Sequence, residues 1–464
     1  MSETLKCISP VDGSVYAERP AATEAQISAA LTRATACQAA WRHVPVAERA
    51  ALCSKMVDAF IAEPEAVAKE LAWQMGRPVR YGAGEVRGFE ERARHMIAIA
   101  PEALADVAVA DKPGFHRFIR HQPLGVVLVV APWNYPYLTA VNAIVPAIMA
   151  GNAVILKHAT QTPLCGERIA RAFAAAGAPD GLFQVVHLTH DQTARMVAAP
   201  EVNFVAFTGS VPGGAAMEKA AAGRFIGLGL ELGGKDPAYV RADANLPHAI
   251  ENVTDGAFFN SGQSCCGIER VYVDAKVFDD FVAGMVDLTK KYLLGDPTDA
   301  ETTLGPLVRP RAADFVRGQT ADALKAGAKA LIDVKSFNRD GGEGSAYLAP
   351  QVLIDVDHTM RVMTEESFGP VVGVMKVTSD EQALKLMNDS EYGLTASIWT
   401  GDEEAALALG DRVETGTLFM NRADYLDPAL AWTGVKNSGR GCTLSRLGYD
   451  HLTRPMSFHL RTKV

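Results

Sequence analysis

Apolar residues recur at spacings of three and four from about position 24 to position 110, in a stretch rich in alanine. That period gathers apolar side chains on one helix face, and alanine is the strongest helix former. Near Phe118 the texture changes. Val126-Val127-Leu128-Val129-Val130 is a short apolar, β-branched run ending in a loop, and residues 153–157, 183–187 and 202–207 repeat it. Residues 138–150, 165–176 and 191–198 read as helices between these runs. Apolar strands separated by helices predict a parallel, doubly wound sheet.

A second series follows Gly234. Residues 237–240, 270–273, 328–334 and 371–377 read as strands, with helices at 246–259, 278–292 and 311–326. Asp340-Gly341-Gly342-Glu343-Gly344 reads as a surface loop. The pattern predicts two α/β domains meeting near Gly233-Gly234, with Glu231 and Cys265 on opposite sides of the join.

Composition narrows the class. A chain of 464 residues has room for about two or three domains. Its hydrophobic fraction of 48% and charged fraction of 21% are ordinary for a globular enzyme. A net charge of -9 argues against nonspecific nucleic-acid binding, which favours basic patches. The most apolar stretch, residues 125–130, is a strand's length and too short for a membrane span. Met1-Ser2-Glu3-Thr4-Leu5-Lys6 lacks the basic and apolar regions of a secretory signal. The seven cysteines show neither metal-ligand nor disulfide-framework spacing. The expectation is a cytoplasmic protein without a bound metal, a membrane partner or a nucleic-acid partner.

Among those cysteines, Cys265 stands out in Asn260-Ser261-Gly262-Gln263-Ser264-Cys265. A thiol is a strong nucleophile only as its thiolate. Glu231, in Glu231-Leu232-Gly233-Gly234-Lys235, is a carboxylate able to take its proton or to activate a water afterwards. The flanking glycines permit close backbone approach. Covalent thioester chemistry is the consequence.

Cofactor signals are less direct. Gly227-Leu228-Gly229 begins a Gly-x-Gly-x-x-Gly fingerprint, but Leu232 stands where its last glycine belongs. Phe207-Thr208-Gly209-Ser210 instead follows a buried strand and precedes a helix opened by Gly213-Gly214. Amides at such a terminus hold a pyrophosphate, although the pattern equally describes a plain strand–turn–helix junction. Lys157 ends a strand at the carboxyl edge where open α/β sheets bind ligands; a solvated lysine is the plain alternative. Pro132-Trp133-Asn134-Tyr135-Pro136 follows another strand at that edge. Its prolines fix the loop, its amide suits an oxyanion, and its aromatics are otherwise core packing.

Six segments occur together in one order: Pro132-Trp133-Asn134-Tyr135-Pro136, Gly151-Asn152-Ala153-Val154-Ile155-Leu156-Lys157, Phe207-Thr208-Gly209-Ser210, Glu231-Leu232-Gly233-Gly234-Lys235, Gly262-Gln263-Ser264-Cys265 and Glu365-Glu366-Ser367-Phe368-Gly369-Pro370. From about Ser9 onward the chain resembles the NAD(P)-dependent aldehyde dehydrogenase superfamily. The resemblance implies an α/β fold of two doubly wound domains, a Rossmann-like cofactor domain and a catalytic domain, plus a small β bridging element that makes dimers or tetramers. The implied cofactor-binding domain is 1–104 with 126–232, the catalytic domain 233–447, and the bridging element 105–125 with 448–464.

By the same resemblance, Cys265 attacks an aldehyde and Asn134 steadies the oxyanion. Hydride passes to the nicotinamide, and Glu231 activates the water that releases a carboxylic acid. Lys157 and Thr160 would meet the adenosine ribose. Gly209 and Ser210 would sit near the pyrophosphate, Glu366 would bind the nicotinamide-side ribose with Phe368 packing at the same end, and Trp133, Phe207, Thr208, Gly214, Leu232 and Gly233 would complete the cofactor site.

Three departures from the family pattern carry expectations. Lys157-His158-Ala159-Thr160 has Thr160 where relatives often carry a glutamate that disfavours a 2′-phosphate, so NADP is expected as well as NAD. Ala431-Trp432-Thr433-Gly434-Val435-Lys436-Asn437-Ser438-Gly439 replaces the usual Pro-Phe-Gly-Gly opening, after Asn421-Arg422-Ala423-Asp424-Tyr425-Leu426 at the substrate mouth. Arg422 would pair with an acidic aldehyde or face solvent, whereas Asp424, Tyr425 and Trp133 would hold a cationic one. Cys266 either lines the pocket or forms a reducible vicinal disulfide with Cys265. A small semialdehyde, an amino-aldehyde and a general aliphatic or aromatic aldehyde all stand as substrates on the sequence alone. The rival functions are a cofactor-independent cysteine esterase or acyl transferase, and a catalytically silent family member. No Cys/His cluster supports a zinc alcohol dehydrogenase.

Overall fold

A computed structural model describes residues 3–464; Met1 and Ser2, which belong to the 1–104 stretch and to the segment read for targeting, lie outside the described residues. Every residue of Val126–Ala131 and of Ala153–His158 is buried, as a strand covered on both faces must be. These two are neighbours within a six-stranded sheet ordered Gly439–Arg440, Gly227–Glu231, Val202–Thr208, Val126–Ala131, Ala153–His158 and Phe183–Val185. All its pairs are parallel except the first. Helices Pro136–Met149, Pro163–Ala175, His190–Ala198 and Val211–Ala221 make its crossovers.

The second sheet has seven strands, in the order Lys329–Ala330, Gln351–Ile354, Val371–Val377, Ile268–Asp274, Asp236–Val240, Thr395–Trp399 and Thr417–Met420. It too is parallel apart from its first pair. The result is the expected α/β architecture of two doubly wound units. Thr453–Arg461 pairs along its whole length with Phe115–Pro123, and Val107–Ala108 adds a third antiparallel strand to that small sheet.

Several local expectations change. The helical pattern read as far as position 110 ends with Val79–Ala103, and Val107–Ala108 is extended because it pairs with Phe118 and Ile119. Residues 328–334 yield only the two-residue strand Lys329–Ala330. There the Gln351 side chain accepts from the Leu331 and Ile332 amides and donates to the Ile332 carbonyl. Leu331 still donates to the Val352 carbonyl at 3.0 Å, and at Ile332 the Gln351 side chain takes the place of a ladder partner. Thr395–Trp399 and Thr417–Met420 are strands that the sequence pattern did not single out. Gly439–Arg440 falls in the stretch 233–447 but joins the first sheet, with Gly439 opposite Glu231.

Candidate active site

Glu231 ends its strand directly beside Thr208 in the register of the first sheet. Its carboxylate accepts hydrogen bonds from Thr208 Oγ1 at 2.9 Å and Thr443 Oγ1 at 2.6 Å. Burial raises its pKa, while the two hydroxyls and the nearby Arg92 oppose that rise. Across the join, Cys265 follows a tight turn in which Asn260, Ser261 and Gly262 all have positive φ. A Cβ on Gly262 would lie 2.3 Å from the Gly369 carbonyl oxygen, and one on Gly234 would lie 2.5 Å from that of Cys265. The glycines therefore permit the close chain contacts that seat the thiol.

Asn134 is buried and donates through Nδ2 to the Gln263 carbonyl at 3.3 Å. Its own carbonyl accepts from Arg77 Nη2 and Asn260 Nδ2. Arg77 pairs with Glu85 in the interior and also donates to Asn260 Oδ1 at 3.1 Å. Glu85 in turn accepts from the Tyr137 and Leu138 amides at the start of helix Pro136–Met149, a favourable place for negative charge. One buried ion pair thus ties the Asn134 loop to the Cys265 turn. Tyr135 lies under Arg77, its ring centroid 4.5 Å from the guanidinium carbon.

Two cavities meet here. The smaller, of about 240 Å³, has Trp133, Asn134, Thr208, Gly209, Ser210, Glu231, Leu232, Gly233, Cys265, Glu366 and Phe368 in its wall, together with Pro132. Eleven of the fifteen predicted site residues are thereby gathered around one space. Trp133 and Phe368 meet edge to face at 5.7 Å. Glu366 accepts from the Gly234 amide at 3.0 Å, and burial, then the charge of Glu269, pushes its pKa up to about 8.

The other four predicted residues lie outside that wall. Phe207 packs beneath the loop, where a Cβ on Gly209 or Gly213 would meet its ring. Gly214 sits inside helix Val211–Ala221 against Leu232. Lys157 is buried opposite Val130 at the carboxyl end of the sheet, and Thr160 follows in the next turn. Ser210, within the wall, also stabilises the adjoining helix, because its hydroxyl caps Val211–Ala221 by accepting from the Gly213 amide.

A nicotinamide dinucleotide fits this edge. The Lys157 ammonium has no carboxylate within ion-pair distance among the described residues, and burial brings its pKa down to about 8. A buried cation without a partner suits an anionic or polar ligand.

The larger cavity, of about 420 Å³, shares Thr208, Glu231, Leu232 and Cys265 with the smaller and extends to helix Val79–Ala103 and the 423–426 loop. Cys266 lines it and donates to Asp424 Oδ1 at 2.8 Å; Ser264 donates to the same oxygen at 3.2 Å. Tyr425 donates to Glu91 at 2.7 Å, and the Arg422 guanidinium carbon lies 3.7 Å from the Tyr425 ring centroid. Arg422 is exposed and outside the cavity wall, so its solvent-facing reading holds.

Sequence reasoning missed several members of this site. Thr443 on Glu231 and Arg77 on Asn134 gave no motif. Glu269 accepts from the Ser367 and Phe368 amides and from Lys235, holding a turn in which Phe368 has φ of 52°. Its one signal is a Glu-Arg pair inside the otherwise apolar strand Ile268–Asp274.

Two doubly wound sheets, with a thiol and a carboxylate in the walls of the same two cavities, define the architecture of an α/β enzyme. The model of the aldehyde dehydrogenase family matches residues 1–458. Succinate-semialdehyde dehydrogenase (NADP(+)) 1 of Mycobacterium tuberculosis is 34% identical over 445 residues, covering 95% of this chain and 96% of that protein. The 3,6-anhydro-alpha-L-galactose dehydrogenase of Streptomyces coelicolor is 33% identical over 462 residues, covering 99% and 94%. The succinic semialdehyde dehydrogenase of Streptococcus pyogenes, solved in complex with NADP+, superposes with a TM-score of 0.93 at 28% identity, covering 98% and 100%. The chain belongs to the aldehyde dehydrogenase family. It is an oxidoreductase that oxidises aldehydes with a nicotinamide cofactor.

Proposed function

We propose that Cys265 is the nucleophile of this oxidation and that Glu231 completes it. The carrying observation is that Cys265, Glu231 and Asn134 share the wall of one cavity. The thiolate attacks the aldehyde carbon, and the Asn134 amide with the Cys265 backbone amide steadies the resulting oxyanion. NAD(P), when bound, supplies the acceptor for the hydride that leaves this carbon. Cys265 then carries the acyl group as a thioester. Glu231 takes a proton from water, the hydroxide displaces the thiolate, and a carboxylic acid departs.

Trp133, Gly209, Ser210, Leu232, Gly233, Glu366 and Phe368 would hold the nicotinamide and pyrophosphate end, supported by Phe207 and Gly214. Lys157 and Thr160 would accept the adenosine ribose with or without a 2′-phosphate, so NADP serves as well as NAD. The relatives' NADP-dependent names and complexes favour that reading. Their names also favour a small semialdehyde among the possible substrates.

The three-stranded antiparallel sheet exposes Val107, Met456 and Leu460, which supports its use in a homodimer or homotetramer. All seven cysteines are free, in keeping with a reducing compartment such as the cytoplasm.

The test is cofactor reduction with NAD and NADP over an aldehyde panel, with Cys265→Ala beside the parent. Loss of activity by about 10⁴-fold or more in the variant is expected. Acyl-ester hydrolysis that needs no cofactor, with no dehydrogenase activity, would install the esterase reading instead. No activity of either kind would indicate a silent member.

A further inference from the structure

Helix Val79–Ala103 carries Arg92 into the wall of the larger cavity, which also holds Cys265. Arg92 is only 7% exposed. Its Nη1 donates to the Leu138 carbonyl at 2.7 Å and to Asn142 Oδ1 at 3.4 Å. Nε and Nη2 donate to nothing among the described residues, and no carboxylate lies within ion-pair distance of the guanidinium. Asn142 is 2% exposed, and its Nδ2 is a buried donor without a partner. The bond from Arg92 to Oδ1 fixes the orientation of that amide and leaves Nδ2 as a spare donor.

The other charges of this wall are engaged or exposed. Glu85 is paired with Arg77, Glu91 accepts from Tyr425, and Asp424 accepts from Cys266 and Ser264. Glu231 is held by its two threonines. Arg87 is exposed to solvent, where charge is screened, and Asp255 lies at the rim with its carboxyl pushed up to about 6 by burial. Arg92 is thus a desolvated cation that feels Glu85 and Glu231 only through space, while its Nε and Nη2 donors have no acceptor, and such donors call for a ligand that supplies one.

The shape of the unused edge names the anion. With Nη1 engaged, the remaining Nε–H and Nη2–H form the side of the guanidinium, a planar fork that matches the two oxygens of a carboxylate. We propose that Arg92, with Asn142 beside it, anchors a carboxylate at the far end of the aldehyde, so that the substrate is the semialdehyde of a dicarboxylic acid. The proposal deepens the reading given above and rests on Cys265 reacting in the same cavity.

The decisive measurement compares kcat/KM for pairs of aldehydes of equal length, one ending in a carboxylate and one in a neutral carboxamide. Charge-assisted hydrogen bonds make a preference for the carboxylate of about 10- to 100-fold the expected result in the parent. Arg92→Met should bring that ratio close to one, chiefly through KM of the acidic aldehyde, and Arg92→Lys should restore part of it. An equal response to both aldehydes in the parent overturns the proposal, as does a ratio that survives Arg92→Met. A preference for a phosphate-ended aldehyde over the carboxylate also overturns it. Competitive inhibition of the parent by glutarate, at least about tenfold tighter than by glutaramide, is expected even if Arg92→Met fails to fold. Failure of the Cys265 reading looks different: Cys265→Ala would keep turning over every aldehyde while the carboxylate preference stayed intact.

Discussion

The two cavities that meet at Cys265 are built in opposite ways. The smaller is walled by short runs of consecutive residues, 132–134, 208–210 and 231–233 among them, at the ends of strands. The larger is walled by side chains that arrive from separate helices and from the 423–426 loop. The first, which we propose faces the cofactor, is made from loops at sheet edges and is specified locally. The second, proposed to face the substrate, is made from distant helices and is specified by packing. The two overlap at Thr208, Glu231, Leu232 and Cys265, where the proposed chemistry lies.

That contrast can be broken first at the shared wall. Glu231→Gln should lower steady-state turnover by about 10²- to 10⁴-fold. Rapid-mixing absorbance should still show the first equivalent of reduced cofactor, because water activation comes after hydride loss. The parent's turnover should rise with pH through a value above the ordinary carboxylate range, since burial raises the Glu231 pKa and only the carboxylate acts as base. Thr443→Val removes a donor to that carboxylate and should move this limb of the profile further upward.

On the substrate side, Arg77→Met leaves Glu85 buried without its cation. Stability should fall by about 3–5 kcal/mol in urea unfolding. The Asn134 loop loses its tie at the same time, so surviving enzyme should show a reduced kcat.

Effects on the cofactor side should be smaller and more separable. Thr160→Glu should reduce the NADP-to-NAD ratio of kcat/KM by about tenfold, through like-charge repulsion of a 2′-phosphate. Smallest of all is a pH effect at Lys157, whose pKa burial brings to about 8. As pH climbs through that value the ammonium loses its charge, so KM for NADP should rise a few-fold while KM for NAD changes less.

Legibility in the sequence follows the same division. Strands such as Val126–Ala131 announce themselves as unbroken apolar runs, the loops after them carry Asn134 and Gly209, and Glu231 ends a strand of the same sheet. Thr443, Arg77 and Arg92 are single polar residues, and their roles exist only once remote segments are in contact. Edge elements were read poorly for a related reason. Residues 328–334 have strand composition, but at Ile332 the Gln351 side chain satisfies the backbone instead of a ladder. Asp424 was read as a group for binding substrate, yet its carboxylate is occupied by Cys266 and Ser264.

The bond from Thr443 to Glu231 spans 212 positions of chain. At synthesis rates of roughly 5–20 residues per second, about 10–40 s separate the making of those two residues. The first sheet is likewise incomplete until Gly439–Arg440 is laid beside Gly227–Glu231. A nascent chain on the ribosome therefore holds the Cys265 thiol well before it holds the full seating of the Glu231 carboxylate. Through that interval the thiol and the carboxylate are both present in the chain while the bond that orients the carboxylate is not, so the complete wall of the site is among the last things synthesis delivers.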